Sequence, residues 1–157
     1  MVRRSAGLLP FRWRDGEPEV LLGHMGGPLW ARREKGAWTV LKGEYTDGED
    51  PAAAAEREFA EETGLGPPPG PRLPLGTVRQ RGGKEVTAWA VEAEVDAEAA
   101  VSGTFEMVWP PRSGRVQAFP EIDRFRWWPL GGAREVVVGA QAELLDRLEA
   151  VVRRTSP

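Results

Sequence analysis

The chain has 157 residues, 21 basic against 24 acidic for a formal net charge of −3, with 41% hydrophobic and 29% charged residues. These values suit one soluble globular domain, expected over residues 1–157, and give no global pull toward nucleic acid, so no stable nucleic-acid partner is expected. Cysteine is absent and His24 is the only histidine, which excludes disulfides, thiolate zinc and imidazole clusters and leaves oxygen to hold any metal, as it holds magnesium, manganese or calcium.

Met1 to Arg4 opens without the apolar stretch of a signal peptide, and no apolar run is long enough to span a bilayer. A cytoplasmic protein without membrane association is expected. Ser5–Trp13 and Glu19–His24 read as strands around the turn residues Asp15-Gly16-Glu17-Pro18. The loop from Gly26 to Lys35 carries Arg32, Arg33 and Lys35 beside Trp30, and Ala37–Leu41 reads as a further strand. A helix is predicted over Pro51–Thr63, with Asp50 as its cap, Pro51 in the first helical position and Gly64 as its left-handed stop. Ala52, Ala55 and Phe59 are expected to face the core.

After the proline-rich connection Gly64–Pro74, Leu75–Gln80 and Glu85–Val95 flank Arg81-Gly82-Gly83-Lys84, a hairpin turn. Trp109 to Arg115 reads as a loop that offers Arg112 and Arg115. A last strand is expected at Ile122–Trp128 and a last helix at Ala140–Arg153, where Leu144, Leu145, Leu148, Val151 and Val152 form an apolar stripe. Mixed or antiparallel strands with two such helices give a layered α/β sandwich. Among the seven tryptophans, Trp30, Trp38 and Trp109 lie in or beside Gly/Pro-rich segments, where a ring suits either packing or stacking on a base. Exposed tryptophans would also favour a homodimer.

The helix at Pro51–Thr63 carries the chemistry. Glu58, Glu61 and Glu62 stand at i, i+3 and i+4, so their carboxylates share one face. Each like pair costs roughly 0.2–0.5 kcal/mol, and the negative end of the helix dipole adds to the cost. A solvated acidic face is one reading of such a trio. The other is a divalent cation that neutralises it and acts on a phosphate.

The segment Gly43 to Leu65 resembles the Nudix box, G-x5-E-x7-R-E-U-x-E-E-x-G-U, through Gly43, Glu49, Arg57, Glu58, Phe59, Glu61, Glu62, Gly64 and Leu65. Phe59 stands where an aliphatic residue is usual. The resemblance implies a Nudix-type α/β/α sandwich with a mixed central sheet. It implies Mg²⁺ (or Mn²⁺) held by Glu58, Glu61 and Glu62, with the carbonyl of Gly43 as a further ligand. Arg57 would orient the acids by pairing with Glu49. The implied chemistry is attack of water on a phosphorus of a nucleoside-diphosphate-linked small molecule.

The general base varies in the family between a box glutamate and a distant acid; Glu121 is the distant candidate here and Glu106 the second. The family's subgroup marks, a Pro or a Tyr beyond the box, would fall on Gln80 to Gly83, which hold neither. Lys42, Trp38, Arg112, Arg115 and Lys84 are the candidate substrate contacts. A dinucleoside polyphosphate or related nucleotide is the leading expectation. A pyrophosphatase of oxidised or non-canonical nucleoside triphosphates and a non-catalytic nucleotide sensor are the alternatives. His24, at a strand end, is expected to be packed.

Overall fold

The structure, a computed structural model, describes residues 2–155; Met1, Ser156 and Pro157, the ends of the expected domain, lie outside the described residues. In chain order the elements are β1 (Arg4–Arg14), β2 (Glu17–Met25), β3 (Trp38–Thr39), β4 (Leu41–Glu44), α1 (Pro51–Thr63), β5 (Leu73–Arg79), β6 (Glu85–Glu92), β7 (Thr104–Val108), β8 (Val116–Pro120), β9 (Ile122–Pro129), α2 (Leu130–Val136) and α3 (Ala142–Thr155).

β1 is the axis of a seven-stranded mixed sheet. It pairs antiparallel with β2 through one half and with β4 through the other, and parallel with β6 along its opposite edge. β5 extends the sheet from β6, while β3 and β9 extend it from β2. The β1–β2 turn takes positive φ at Asp15 (50°) and Gly16 (79°), the backbone that matches the twist of a tight hairpin.

Residues of β1 alternate between two cores, as a strand buried on both faces requires. Ala6 and Leu8 join Leu21, Leu41 and the α1 residues Ala54, Ala55 and Phe59. Leu9 and Phe11 join Val20, Leu22 and the helical residues Leu130, Leu144, Leu145 and Leu148. Each fully buried side chain of this size contributes roughly 1.5–3 kcal/mol. The result is an α/β/α sandwich, with α1 on one face and α2 and α3 on the other. No helix among the described residues is long and apolar enough to cross a membrane.

Helix α1 has the expected bounds and caps. The Asp50 carboxylate accepts from Ala53 N at 3.1 Å, and Gly64, at φ 70°, donates its N–H to Ala60 O. Its buried stripe is Ala54, Ala55, Glu58, Phe59 and Thr63, and Ala52 is exposed, so the phase differs from the expectation. The stripe that packs on the sheet therefore draws one carboxylate into the interior.

Three further departures have physical causes. The expected strand Ala37–Leu41 is divided, because β3 pairs with β2 and β4 with β1. Val40 lies at the crossing, and its N–H is satisfied by the Gln141 side chain at 2.9 Å. Helix α2 was not expected, since Gly131 and Gly132 weaken any helical signal; Gly132 admits the Trp128 ring, which a Cβ would meet at 3.3 Å. The β7–β8 ribbon was also unexpected. It forms its own two-stranded sheet and is largely exposed; the alternation in β7 spans only five residues and β8 shows none, so the sequence signal is weak.

None of the seven tryptophans is exposed. Six of the rings, all but Trp109, belong to or pack against the two cores, so exposed tryptophans give no ground for a homodimer.

Candidate active site

β4 serves both faces of the sheet with adjacent residues. Gly43, opposite Ala6, faces α1, where a Cβ would lie 1.8 Å from Oε2 of Glu58. Lys42, opposite Gly7, faces the other way, and a Cβ on Gly7 would lie 2.8 Å from its Cβ. Two small residues thus let the strand approach an acid on one side and seat a lysine on the other.

Arg57 organises the acids around the helix. Its Nε and Nη2 donate to the two oxygens of Glu49, each at 2.8 Å, a bidentate pair. Its Nη1 donates to Glu58 Oε1 at 2.7 Å and to both oxygens of Glu61 at 3.2 Å. The Glu49 hydrogen bonds raise the Arg57 pKa further above its ordinary value and lower that of Glu49.

Glu121 comes from the β8–β9 junction. Its N–H donates to Gly103 O at 2.9 Å, and its carbonyl accepts from Gly26 N at 2.8 Å. A Cβ on Gly26 would lie 1.9 Å from Pro120 O, so only glycine lets the two chains close this tightly. That closure sets Glu121 beside Glu62. Burial pushes the Glu62 carboxyl up to about 8, with further contributions from the charge and hydrogen bond of Glu121 and the charge of Glu58. Burial also raises Glu58, against the opposing hydrogen bond from Arg57.

Gly43, Glu58, Glu61, Glu62 and Glu121 line one cavity of about 620 Å³. Lys42 and Lys84 line it too. The Lys42 ammonium is lowered to about 8 by burial, then by the charge of Lys84, against the opposing charges of Glu62, Glu44 and Glu58. A mostly acidic wall therefore faces two cations.

Among the described residues no group of three His, Cys, Asp or Glu side chains is disposed to hold a metal ion as it stands. Glu58 and Glu61 are turned to Arg57, and Glu62 lies with Glu121. The donor set nevertheless fits a hard divalent cation. It is all oxygen, and burial and neighbouring carboxylates raise Glu58 and Glu62, a strain that a cation would relieve.

Three expected substrate contacts require correction. Trp38 is 1% exposed and wedged between the rings of His24 and Trp128, at 5.1 and 5.2 Å, so it has no face for a base. Arg112 and Arg115 are exposed in the turn of the β7–β8 ribbon and do not line the cavity. Only the base of that ribbon, at Gly103 and Glu121, reaches it. Glu106 is exposed on β7, also outside the cavity, as are Arg32, Arg33 and Lys35 on their loop. His24 is packed, its Nδ1 2.8 Å from Asp123 Oδ1 and its Nε2 2.6 Å from Arg33 O.

The cavity also contains Ser5, Thr39, Gln80 and Gln141, which sequence reasoning did not select. They come from four separate segments and form no motif.

Comparison with known proteins places these features in context. A family model described as the NUDIX domain matches residues 1–148. A Myxococcus xanthus protein named octanoyltransferase is 32% identical over 149 residues, covering 88% of this chain and 37% of that protein. The chain thus spans little more than a third of that relative's length. Among solved structures, a C. elegans Ap4A hydrolase binary complex superposes with a TM-score of 0.66 at 24% identity, covering 98% of this chain and 99% of that one. The NUDIX domain of Shewanella oneidensis NrtR complexed with ADP ribose gives a TM-score of 0.62 at 15% identity, covering 97% and 89%. At these identities the two structures speak to the fold.

Proposed function

This chain belongs to the NUDIX domain family, and we propose that it is a pyrophosphohydrolase that cleaves a phosphoanhydride bond in a dinucleoside polyphosphate or related nucleotide, using Mg²⁺ (or Mn²⁺). The observation that carries this reading is the single cavity in which the Glu58, Glu61, Glu62 and Glu121 carboxylates face Lys42 and Lys84. Phosphate chains are polyanions, and they need both a means of neutralisation and a base for water.

Glu58, Glu61 and Glu62 are the side chains that would hold the ion, with Gly43 beside them. A bound divalent cation supplies neutralisation of phosphate charge and polarisation of water. Arg57 keeps Glu58 and Glu61 in place from behind. Glu121 takes the proton of the attacking water on a carboxylate oxygen. A new P–O bond forms, the bridging P–O bond breaks, and the bridging oxygen leaves with the departing phosphate. Lys42 and Lys84 offset the charge that collects there.

Ap4A hydrolysis, named for the C. elegans neighbour, sets the first substrate to try. Octanoyl transfer, named for the Myxococcus xanthus relative, is not proposed, because the match covers 37% of that protein and the cavity's charged and amide groups do not suit an acyl chain.

The test is a product-resolved hydrolysis panel with Mg²⁺ and with Mn²⁺. It holds diadenosine polyphosphates, ADP-ribose, NADH and nucleoside triphosphates. EDTA-sensitive turnover of a diadenosine polyphosphate is expected. No turnover of any compound with either ion would overturn the reading.

A further inference from the structure

The cavity has a polar wall that the box acids do not explain. Ser5 lines it from β1, 1% exposed, and its buried Oγ has no hydrogen-bond partner among the described residues. A hydroxyl removed from water and left unpaired is uncommon, and it points to a group that arrives with a ligand. Ser5 pairs with Glu44 and Gly7 with Lys42, so Ser5 and Lys42 lie on the same face of the sheet, turned away from α1.

Gln80 stands across from them, and its orientation follows from a chain of hydrogen bonds. Val40 N can only donate, so the Gln141 atom 2.9 Å away is Oε1. Gln141 Nε2 therefore donates to Gln80 at 2.9 Å, which makes the receiving atom Gln80 Oε1. The NH₂ of Gln80 is left without a partner among the described residues, at the cavity wall. Gln141 is 0% exposed and ties Val40, just before β4, to the β5–β6 turn. Gln80 N donates to Lys84 O at 2.7 Å, so the same turn sets Lys84.

A hydroxyl, an amide NH₂ and two ammonium groups make a wall rich in donors. Glu44, opposite Ser5, also lines the cavity, but its carboxylate is held by Arg3 at 3.1 and 2.5 Å and lies 3.9 Å from Lys84, which offsets its charge. Beyond Lys84 a second hollow, of about 200 Å³, is lined by Arg3, Arg79, Gly82 and Gly83. Its two guanidiniums are paired, Arg3 with Glu44 and Arg79 with Glu85 at 3.3 Å.

We propose that Ser5, Lys42, Gln80 and Lys84 form a subsite for a phosphate other than the one attacked, with Gln141 as its positioning residue. The wall is then filled best by a substrate whose phosphate chain runs on past the departing phosphate, as in dinucleoside polyphosphates, and less completely by the single departing phosphate of a diphosphate-bridged compound. This inference rests on the hydrolase reading for its place in the reaction, but its ligand chemistry is testable alone.

The experiment has two arms on the full chain. In the first, inorganic tripolyphosphate is titrated calorimetrically into the wild type, Ser5→Ala, Lys84→Met and Gln141→Leu, in EDTA and again with Mg²⁺. The variants should bind about 10-fold more weakly, while Ser5→Ala leaves the melting temperature unchanged or raised, because it removes an unpaired hydroxyl. A merely structural Ser5 would not separate binding from stability in this way. In the second arm, kcat/KM for diadenosine tetraphosphate should fall about 10-fold in each variant, the loss lying in KM for Ser5→Ala and Gln141→Leu and in both KM and kcat for Lys84→Met, which also faces the departing phosphate. Tripolyphosphate binding that is absent in the wild type, or equal in wild type and Lys84→Met, overturns the subsite even if the enzyme is active. Binding that is lost in the variants, without turnover of any nucleotide, upholds the subsite and overturns the hydrolase reading.

Discussion

Gly43 and Glu58 meet so closely that a Cβ on the glycine would lie 1.8 Å from Oε2 of the glutamate. The contact is with the end of a flexible side chain, so Gly43→Ala can be accommodated by displacing that carboxylate. Stability should change by less than about 1 kcal/mol, while activity and Mn²⁺ affinity fall about 10- to 100-fold. Turnover and thermal unfolding measured side by side test this, and wild-type turnover in the variant would remove Glu58 from the proposed ligand set.

Arg57 holds Glu49 with a fork and reaches Glu58 and Glu61 with its remaining nitrogen. Lysine keeps the charge but has no fork. Arg57→Lys should therefore lose about 10- to 100-fold in kcat/KM and only about 1 kcal/mol of stability, since these pairs are partly solvated. Equal activity of Arg57→Lys and wild type would show that charge alone suffices.

Glu62 makes the metal-free protein sensitive to pH. Its folded-state pKa of about 8 lies above the ordinary carboxyl value of 4.5, so between those values the folded chain binds more proton than the unfolded one. The contribution of Glu62 to stability must then fall as pH rises through that window, the reverse of a salt-bridged carboxylate. Glu62→Gln should make the metal-free protein more stable at pH 7, by on the order of 1–2 kcal/mol, and abolish most turnover. Denaturant unfolding in EDTA from pH 5 to 8 provides the check: parallel wild-type and variant curves would contradict it. Mg²⁺ should stabilise the wild type and release protons as it binds.

Trp38 separates a core role from a substrate role. Its ring is buried against His24 and Trp128, and its Nε1 has no partner among the described residues. Trp38→Phe leaves a gap but also removes that unpaired donor. The loss of stability should therefore fall below the about 3–5 kcal/mol typical of truncating a large aromatic to alanine. KM should be unchanged, and a marked rise in KM at full stability would restore Trp38 to the substrate site.

What the sequence determined by itself is what short-range geometry determines. Asp50, Pro51 and Gly64 set the limits of α1, and helical spacing put Glu58, Glu61 and Glu62 on neighbouring faces whatever the rest of the chain did. The turn residues Asp15-Gly16-Glu17-Pro18 between two strand-like runs likewise announced β1 and β2, and the apolar stripe announced α3. The pairing of Arg57 with Glu49 was expected because the box joins that loop and helix within one short segment.

Only tertiary structure decided which acid pays the cost of burial. It turned Glu58 inward against Gly43, left Glu61 toward solvent, and closed Glu121 onto Glu62 through Gly26 and Gly103. It also placed Ser5, Gln80 and Gln141 in the same cavity and withdrew Trp38, Arg112 and Arg115 from it. These outcomes depend on strand register and on side-chain hydrogen bonds such as Gln141 to Val40 and Gln80, which join residues far apart in the chain. Long-range closure of this kind leaves no period or motif in a single sequence, because each partner is locally an ordinary residue and becomes part of a site only when the sheet brings the other to it.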